Sequence, residues 1–232
     1  MKTKLSIVAL ALSSFIAAPA MADFSINVGA IHVKPDESST NLNVIETVAG
    51  LPSNSTRVAV GNDTQIGLTF DYRINQNFGL QLIAATPFSH DLKVKGSAID
   101  GLNIGKTKHL PPTLMAQYHF TQHHTFQPFV GVGVNYTTFF SEKVHPELEG
   151  ALIALDVTIA ADDISLSLSE SWGLALQAGF NYQLTERMGI HFMVSKMAID
   201  TTGKVKVNGT TVQSVNVDID PVVAMLGFRW KI

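Results

Sequence analysis

The chain has 232 residues, 46% of them hydrophobic, with 16 Lys and Arg against 19 Asp and Glu and no cysteine. The negative balance argues against a nucleic-acid partner, and the absence of cysteine excludes a disulfide-stapled exported fold. After the first 22 residues no stretch approaches the roughly 20 consecutive apolar residues of a spanning helix, so the apolar content is dispersed in short alternating runs.

The amino terminus reads as an export signal. Met1-Lys2-Thr3-Lys4 is basic, residues 5–18 are apolar, and Ala20-Met21-Ala22 is a small-x-small site that predicts cleavage before Asp23. Loss of Lys2 and Lys4 with this segment brings the net charge to about −5. An exported chain without disulfides needs another source of stability, and a closed ladder of hydrogen bonds in lipid supplies one.

Eight strands are predicted in chain order, over 24–34, 63–73, 77–87, 108–120, 126–138, 170–183, 187–199 and 217–232. Each has about the length a tilted membrane strand requires. In the second, Thr64, Ile66, Leu68, Phe70 and Tyr72 share one face, and Gln65, Gly67, Thr69, Asp71 and Arg73 the other. The sixth repeats this period-two pattern with Trp172, Leu174, Leu176, Ala178, Phe180 and Tyr182. The last runs apolar from Val222 through Leu226, Phe228 and Trp230 to Ile232, with Gly227, Arg229 and Lys231 opposite. So apolar an edge requires a partner on both sides.

Connections alternate between short and long. Turns at Ile74-Asn75-Gln76, 121–125 and Leu184-Thr185-Glu186 separate excursions over 35–62, 88–107, 139–169 and 200–216. This is the arrangement of an all-β, eight-stranded, antiparallel up-and-down transmembrane β-barrel, one domain over 23–232. Its short turns and both termini would lie in the periplasm and its long loops outside, among lipid and lipopolysaccharide. Tyr72, Phe78, Tyr118, Phe120, Phe126, Phe180, Tyr182, Phe228 and Trp230 make an aromatic girdle at the short-turn end. Phe88, Tyr136, Phe139 and Phe140 form a thinner one opposite. A periplasmic β-sandwich would account for the alternation, but not for the loop asymmetry or the apolar last strand.

Several strings resemble the outer-membrane protein W family: Leu82-Ile83-Ala84-Ala85-Thr86-Pro87-Phe88, 109–118 beginning His109-Leu110-Pro111-Pro112-Thr113, 128–140 beginning Pro128-Phe129-Val130-Gly131, and Asp200-Thr201-Thr202. The resemblance covers nearly all of the chain after the signal. It implies an eight-stranded outer-membrane barrel with a narrow, partly apolar interior that takes up small hydrophobic compounds. It also implies, for one branch, recognition by bacteriocins, with phage docking on the outer loops as a related possibility for a barrel closed to transport. Two departures stand out. The chain ends Trp230-Lys231-Ile232 where most such barrels end in Phe, which is expected to slow recognition by the barrel-insertion machinery. The third loop is long and apolar, with Leu148, Ala151, Leu152, Ile153, Leu155, Val157 and Ile159.

Inward positions are chemically mixed. Gln65, Gln81, Gln117, Asn135, Gln177 and His191 predict a polar lumen, together with Asp71, His119 and Asn181. Ile83, Met115, Phe129, Met193 and Met197 are either packing in a barrel just wide enough for side chains or a hydrophobic constriction for an apolar solute. The family resemblance favours the constriction. In that reading the apolar third loop captures the solute outside, and the solute leaves sideways into the bilayer. Pro111, Pro112 and Pro221 fall inside predicted strands, where a missing N–H breaks the ladder, and mark either a lateral opening or the end of pairing at the loop rim.

His109, His119, His123 and His124 lack the carboxylate or cysteine spacing of a metal site. His32, His90, His109 and His145 near the outer rim assemble with no nucleophile and orienting group, so neither an enzyme nor a cofactor is expected. Gly131-x-Gly133 lies in a strand and is no dinucleotide fingerprint.

Overall fold

Residues 23–120 and 125–232 are described by the computed structural model. The signal segment and His123-His124 lie outside them. Among the described residues the chain runs through β1 (Asp23–Lys34), β2 (Ser38–Ser39), α1 (Asn43–Val48), β3 (Arg57–Val60), β4 (Asp63–Arg73), β5 (Phe78–Ala85), β6 (Phe88–Lys95), β7 (Asn103–Leu110) and β8 (Thr113–His119). It continues through β9 (Phe126–Val144), α2 (Pro146–Ala154), β10 (Ile164–Leu168), β11 (Ser171–Gln183), β12 (Met188–Met197), β13 (Asp200–Val207), β14 (Thr210–Asp218) and β15 (Val222–Lys231).

Eight of these strands close a barrel in the order β1, β4, β5, β8, β9, β11, β12, β15, every neighbour antiparallel. β15 pairs with β1 on one edge and β12 on the other, as its apolar sequence requires, and Ile232 N–H donates to Phe24 O at 3.0 Å. Full closure satisfies every strand edge, the condition lipid imposes. The outward face is apolar, with Ile66, Leu114, Val132, Leu174, Leu176, Leu226 and Phe228 exposed. Rings gather at the short-turn end: Phe24 stacks on Phe70, Tyr118 meets Phe78 and Phe120, and Phe180 contacts Phe126 and Phe192.

The barrel does not end where the lipid ends. The excursions predicted as loops contain strands that carry its wall outward. β7, β6 and β3 add in turn to the outer half of β9, and β10, β13, β14 and β2 form a separate sheet. Val58 N–H donates to Ser39 Oγ at 2.8 Å where β3 passes β2. The outward face here is charged, with Asp91, Lys93 and Lys95 on β6, Lys106 and Lys108 on β7 and Lys204 on β13 all exposed, so this section lies beyond the lipid.

Two details correct the sequence reading. Pro111, Pro112 and Pro221 stand between strands rather than inside them, because β7 stops at Leu110 and β14 at Asp218. Phe88 and Phe139 are not girdle residues. Phe88 is fully buried and Phe139 partly so, both inside the outer section, while Tyr136 packs on Trp172 at 4.7 Å on the lipid side.

The third loop is a roof rather than an open apolar surface. His145 caps α2 by accepting from Glu147 N–H at 3.2 Å, with Pro146 beginning the helix. Leu148 and Leu152, one turn apart, face inward and are buried. With Ile45 of α1 and Val205 and Val212 from the strands below they close a small apolar cluster. Ala151, Ile153, Leu155 and Val157 are half-buried, leaving Ile159 exposed.

Candidate functional site

Within the lipid-spanning section the inward side chains form a continuous polar network. Arg229 of β15 forms an ion pair with Asp71 of β4, both almost fully buried. Its guanidinium also donates to Ser25 Oγ at 3.0 Å, Asn27 Oδ1 at 3.3 Å and Asn181 Oδ1 at 3.4 Å. Asp71 accepts further from Asn27 at 2.9 Å and Gln81 at 2.7 Å. From there the chain of bonds crosses the lumen: Gln177 donates to Gln81 Oε1 at 2.7 Å, Gln117 donates to Gln177 Oε1 at 2.9 Å, and His119 lies 3.1 Å from Gln117 Oε1. His191 contacts Asn181 at 2.8 Å. Every member comes from an inward position of a period-two strand. A buried ion pair persists only when its remaining lone pairs and protons are met in this way.

The predicted polar-lumen residues are thus partly brought together. Gln81, Gln117, Gln177 and His191 belong to the network. Asn135 sits apart, donating to Thr113 Oγ1 at 2.8 Å. Gln65 is only half-buried and bonds to Asp63 and Thr86 at the outer rim.

Ile83, Met115, Phe129, Met193 and Met197 are all 0–2% exposed. They are spread through the packed interior at several levels. Ile83 faces Thr113 across the β5/β8 ladder, and Met197 lies 3.7 Å from Thr113 Oγ1. Met193 Sδ is 2.7 Å from Gln177 Nε2. Phe129 stacks on His191 and packs beside His119.

Above this plug, inside the water-facing section, is an apolar cavity of about 50 Å³. Val33, Val58, Leu92, Ile104, Phe139, Ile199, Val205, Val215 and Pro221 line it, with His90, His109, Thr107, Thr201 and Gln213 among them. His109 and Phe139 line one wall, with His109 stacked between Phe139 (5.7 Å, 29°) and Phe88 behind it (5.3 Å, 28°). His90 and His109 meet through their Nε2 atoms at 2.7 Å. Burial, reinforced by His90, pulls the pKa of His109 down to about 3, so the ring is neutral at neutral pH.

The family model described as the OmpW family matches residues 20–232. The chain belongs to the OmpW family. Outer membrane protein W of Vibrio cholerae serotype O1 is 37% identical over 226 residues, 95% of each chain. The Escherichia coli K12 protein of the same description is 35% identical, covering 98% of this chain and 99% of its own. The crystal structure of the outer membrane protein OprG from Pseudomonas aeruginosa superposes with a TM-score of 0.77 at 38% identity, over 91% of this chain and 96% of the other. With the closed barrel, these relatives make the chain an integral outer-membrane protein.

In this OmpW-family barrel Val58, Leu92, Val205 and Val215 of the cavity are not singled out by the sequence, although a signal for such residues exists. Leu92 and Val94 alternate with Asp91, Lys93 and Lys95, and Val215 and Val217 alternate with Ser214, Asn216 and Asp218. Period-two alternation inside a supposed loop marks a continuing strand. His109 and His119 belong to the histidine set whose spacing gives no metal site. The structure instead pairs His109 with His90 and sinks His119 into the polar network.

Proposed function

We propose that this barrel takes up small hydrophobic molecules through the outer cavity and releases them sideways into the bilayer. The observation that carries the reading is the stacking of an apolar cavity upon an ionic plug. An apolar solute gains by leaving water for the cavity, and it cannot pass straight down through Arg229, Asp71 and the glutamines without breaking their bonds. Ile83 and Met197, between the two, are the floor on which the solute turns. Outer-membrane lipid is then the receiving phase.

The exit is assigned to the side of Pro111 and Pro112. There the ladder of the β5/β8 pair stops at Ile83↔Thr113, and that of the β6/β7 pair begins only at Phe88↔His109. Residues 84–87 therefore face 110–112 without a ladder, directly beside the cavity-lining His109. Pro221 also lines the cavity, but its carbonyl accepts from Met197 N–H at 3.2 Å, Ile219 O nearby accepts from Asp36 N–H at 3.0 Å, and Val222 pairs with Lys34 of β1.

The test is uptake of labelled toluene by cells lacking the protein. They are restored with the native chain, Val215→Phe to fill the cavity, or Ile83→Asp to charge its floor, each confirmed in the outer membrane. Uptake should rise with the native chain and fall about tenfold with either variant, equivalent to about 1.4 kcal/mol. Equal uptake with and without the native protein would leave a closed structural or receptor barrel as the better account.

A further inference from the structure

On the outward face of the outer section, like charges stand directly opposite one another. Arg57 of β3 faces Lys95 of β6, and Lys106 of β7 faces Lys143 of β9. All four are exposed, as are Lys93 and Lys108 on the same face. Like charges opposed in a ladder destabilise the sheet that carries them, and they do so here in a chain with an acidic excess. Asp91 meets Lys106 at 3.2 Å and Glu37 comes within 4.0 Å of Lys95. Lys93, Lys108 and Lys143 make no ion pair among the described residues. Elsewhere on the outer wall the arrangement differs. Lys204 of β13 faces Ser167 and Ser214, and Lys206 faces Ser165 and Thr211, while Asp200 faces Asp218. Charge is thus segregated by sign, and the β3/β6/β7/β9 side is the positive one.

An anion seated on that side offsets the repulsion, and the height of the patch decides which anion. Lys108 stands opposite Phe140, a half-buried ring of the kind found at the headgroup level. Two residues further on, β7 stops at Leu110, and below it the paired Leu114 and Val134 are exposed to lipid. The basic residues therefore rise from the lipid edge: Lys108 first, then Lys106 beside Lys143, then Lys93 and the Lys95 and Arg57 pair. A phosphate monoester brings a charge of about −1.5 to −2 and three acceptor oxygens, which suits it to bridging two ammonium groups held side by side.

We infer that this face is a docking surface for the phosphate groups of lipopolysaccharide in the outer leaflet, with Lys106, Lys108 and Lys143 as the residues that meet them. The lipid anchor holds those phosphates at the level where the lysines begin, which a dissolved polyanion lacks. None of the basic residues lines the cavity, so the surface stands independently of the uptake reading. The like-charge pairs make the outer sheet less stable without the lipid than with it.

The experiment uses the folded barrel in phosphatidylcholine nanodiscs, its lysines ¹³C-dimethylated so that each gives a resonance and keeps its charge. Adding bisphosphorylated lipid A to the disc should shift Lys106, Lys108 and Lys143 and leave Lys204 and Lys231 in place. K106Q/K108Q/K143Q should hold lipid A about tenfold more weakly in native mass spectrometry. In phosphatidylcholine alone, amide exchange across β7 should be slower in K143Q than in the native chain, because a like-charge pair is gone. Equal shifts with dephosphorylated lipid A would overturn the inference by removing phosphate as the ligand. Equal shifts with inorganic phosphate or a soluble sulfated polysaccharide, in discs without lipid A, would overturn it by removing the membrane as the source. Native affinity for lipid A in the triple variant would overturn the assignment of the three lysines.

Discussion

The lipid-spanning half and the outer half of this barrel are built on the same alternating strands with opposite chemistry. In the first, Leu174, Leu176 and Phe228 face out while Arg229, Asp71 and Gln177 face in. In the second, Lys93, Lys106 and Lys204 face out while Leu92, Val205 and Val215 face in. The backbone does not distinguish them; the surroundings do. Lipid outside allows a polar, hydrogen-bonded interior, and water outside requires an apolar one. A cavity for apolar solutes therefore belongs in the outer half, although the lipid-facing surface lies in the inner.

The largest expected effect tests whether the inner half depends on its ion pair. Asp71→Ala strips Arg229 of its counter-charge in a buried position and should cost about 3–5 kcal/mol, read from urea unfolding of the barrel refolded into lipid vesicles. A loss near zero would mean that the network fills space without stabilising the wall. Of intermediate size is the effect of the glycine row. Gly29 faces Gly227 on one side and Gly67 on the other, and a side chain on Gly29 would strike the Leu226 carbonyl, while one on Gly67 would come 2.8 Å from Ile31 Cβ. Gly29→Ala should therefore cost about 1–3 kcal/mol through overpacking in the same assay. Val205→Ala, in the outer half, should leave unfolding of the lipid-spanning section unchanged.

The smallest effect is confined to the outer half and depends on pH. Glu46 of α1 is buried, which pushes its pKa up. Hydrogen bonds from Thr56 Oγ1 (2.7 Å), Asn41 (2.6 Å), Thr56 N–H (2.9 Å) and Asn54 N–H (2.9 Å) outweigh this and hold it at about 2. A carboxylate with its folded value below the unfolded value of about 4.3 contributes fully above that pH. The contribution is lost as pH falls toward about 2. Amide exchange at Asn54 and Thr56 should accelerate over that window, with Asn27 and Gly29 in the inner half unaffected. Parallel acceleration in both halves would show that they open as one unit.

How much of this was legible depended on the pattern's sign. Strands such as 63–73 matched β4 (Asp63–Arg73) because an apolar residue at every second position against lipid cannot be mistaken for a helix. The predicted strand 108–120 merges β7 with β8, which the structure separates at Pro111-Pro112. The segments 88–95 and 200–216 read as loops although they alternate as regularly. There the apolar residues face inward, the reverse of the lipid-facing rule, and nothing in the local sequence announces where lipid gives way to water.

The sequence by itself determined the barrel, its strand count, its inside and outside in the lipid-spanning section and its family, because those follow from periodicity and from long runs of residue identity. Inward orientation of Ile83, Met115, Phe129, Met193 and Met197 was also readable from parity. Only the tertiary structure decided which inward residues meet. Neighbours across the lumen are set by register and strand tilt, which brought Arg229 to Asp71 across 158 positions of chain and His90 to His109 beside an apolar cavity. Those are long-range closures of the sheet, and no local pattern encodes them.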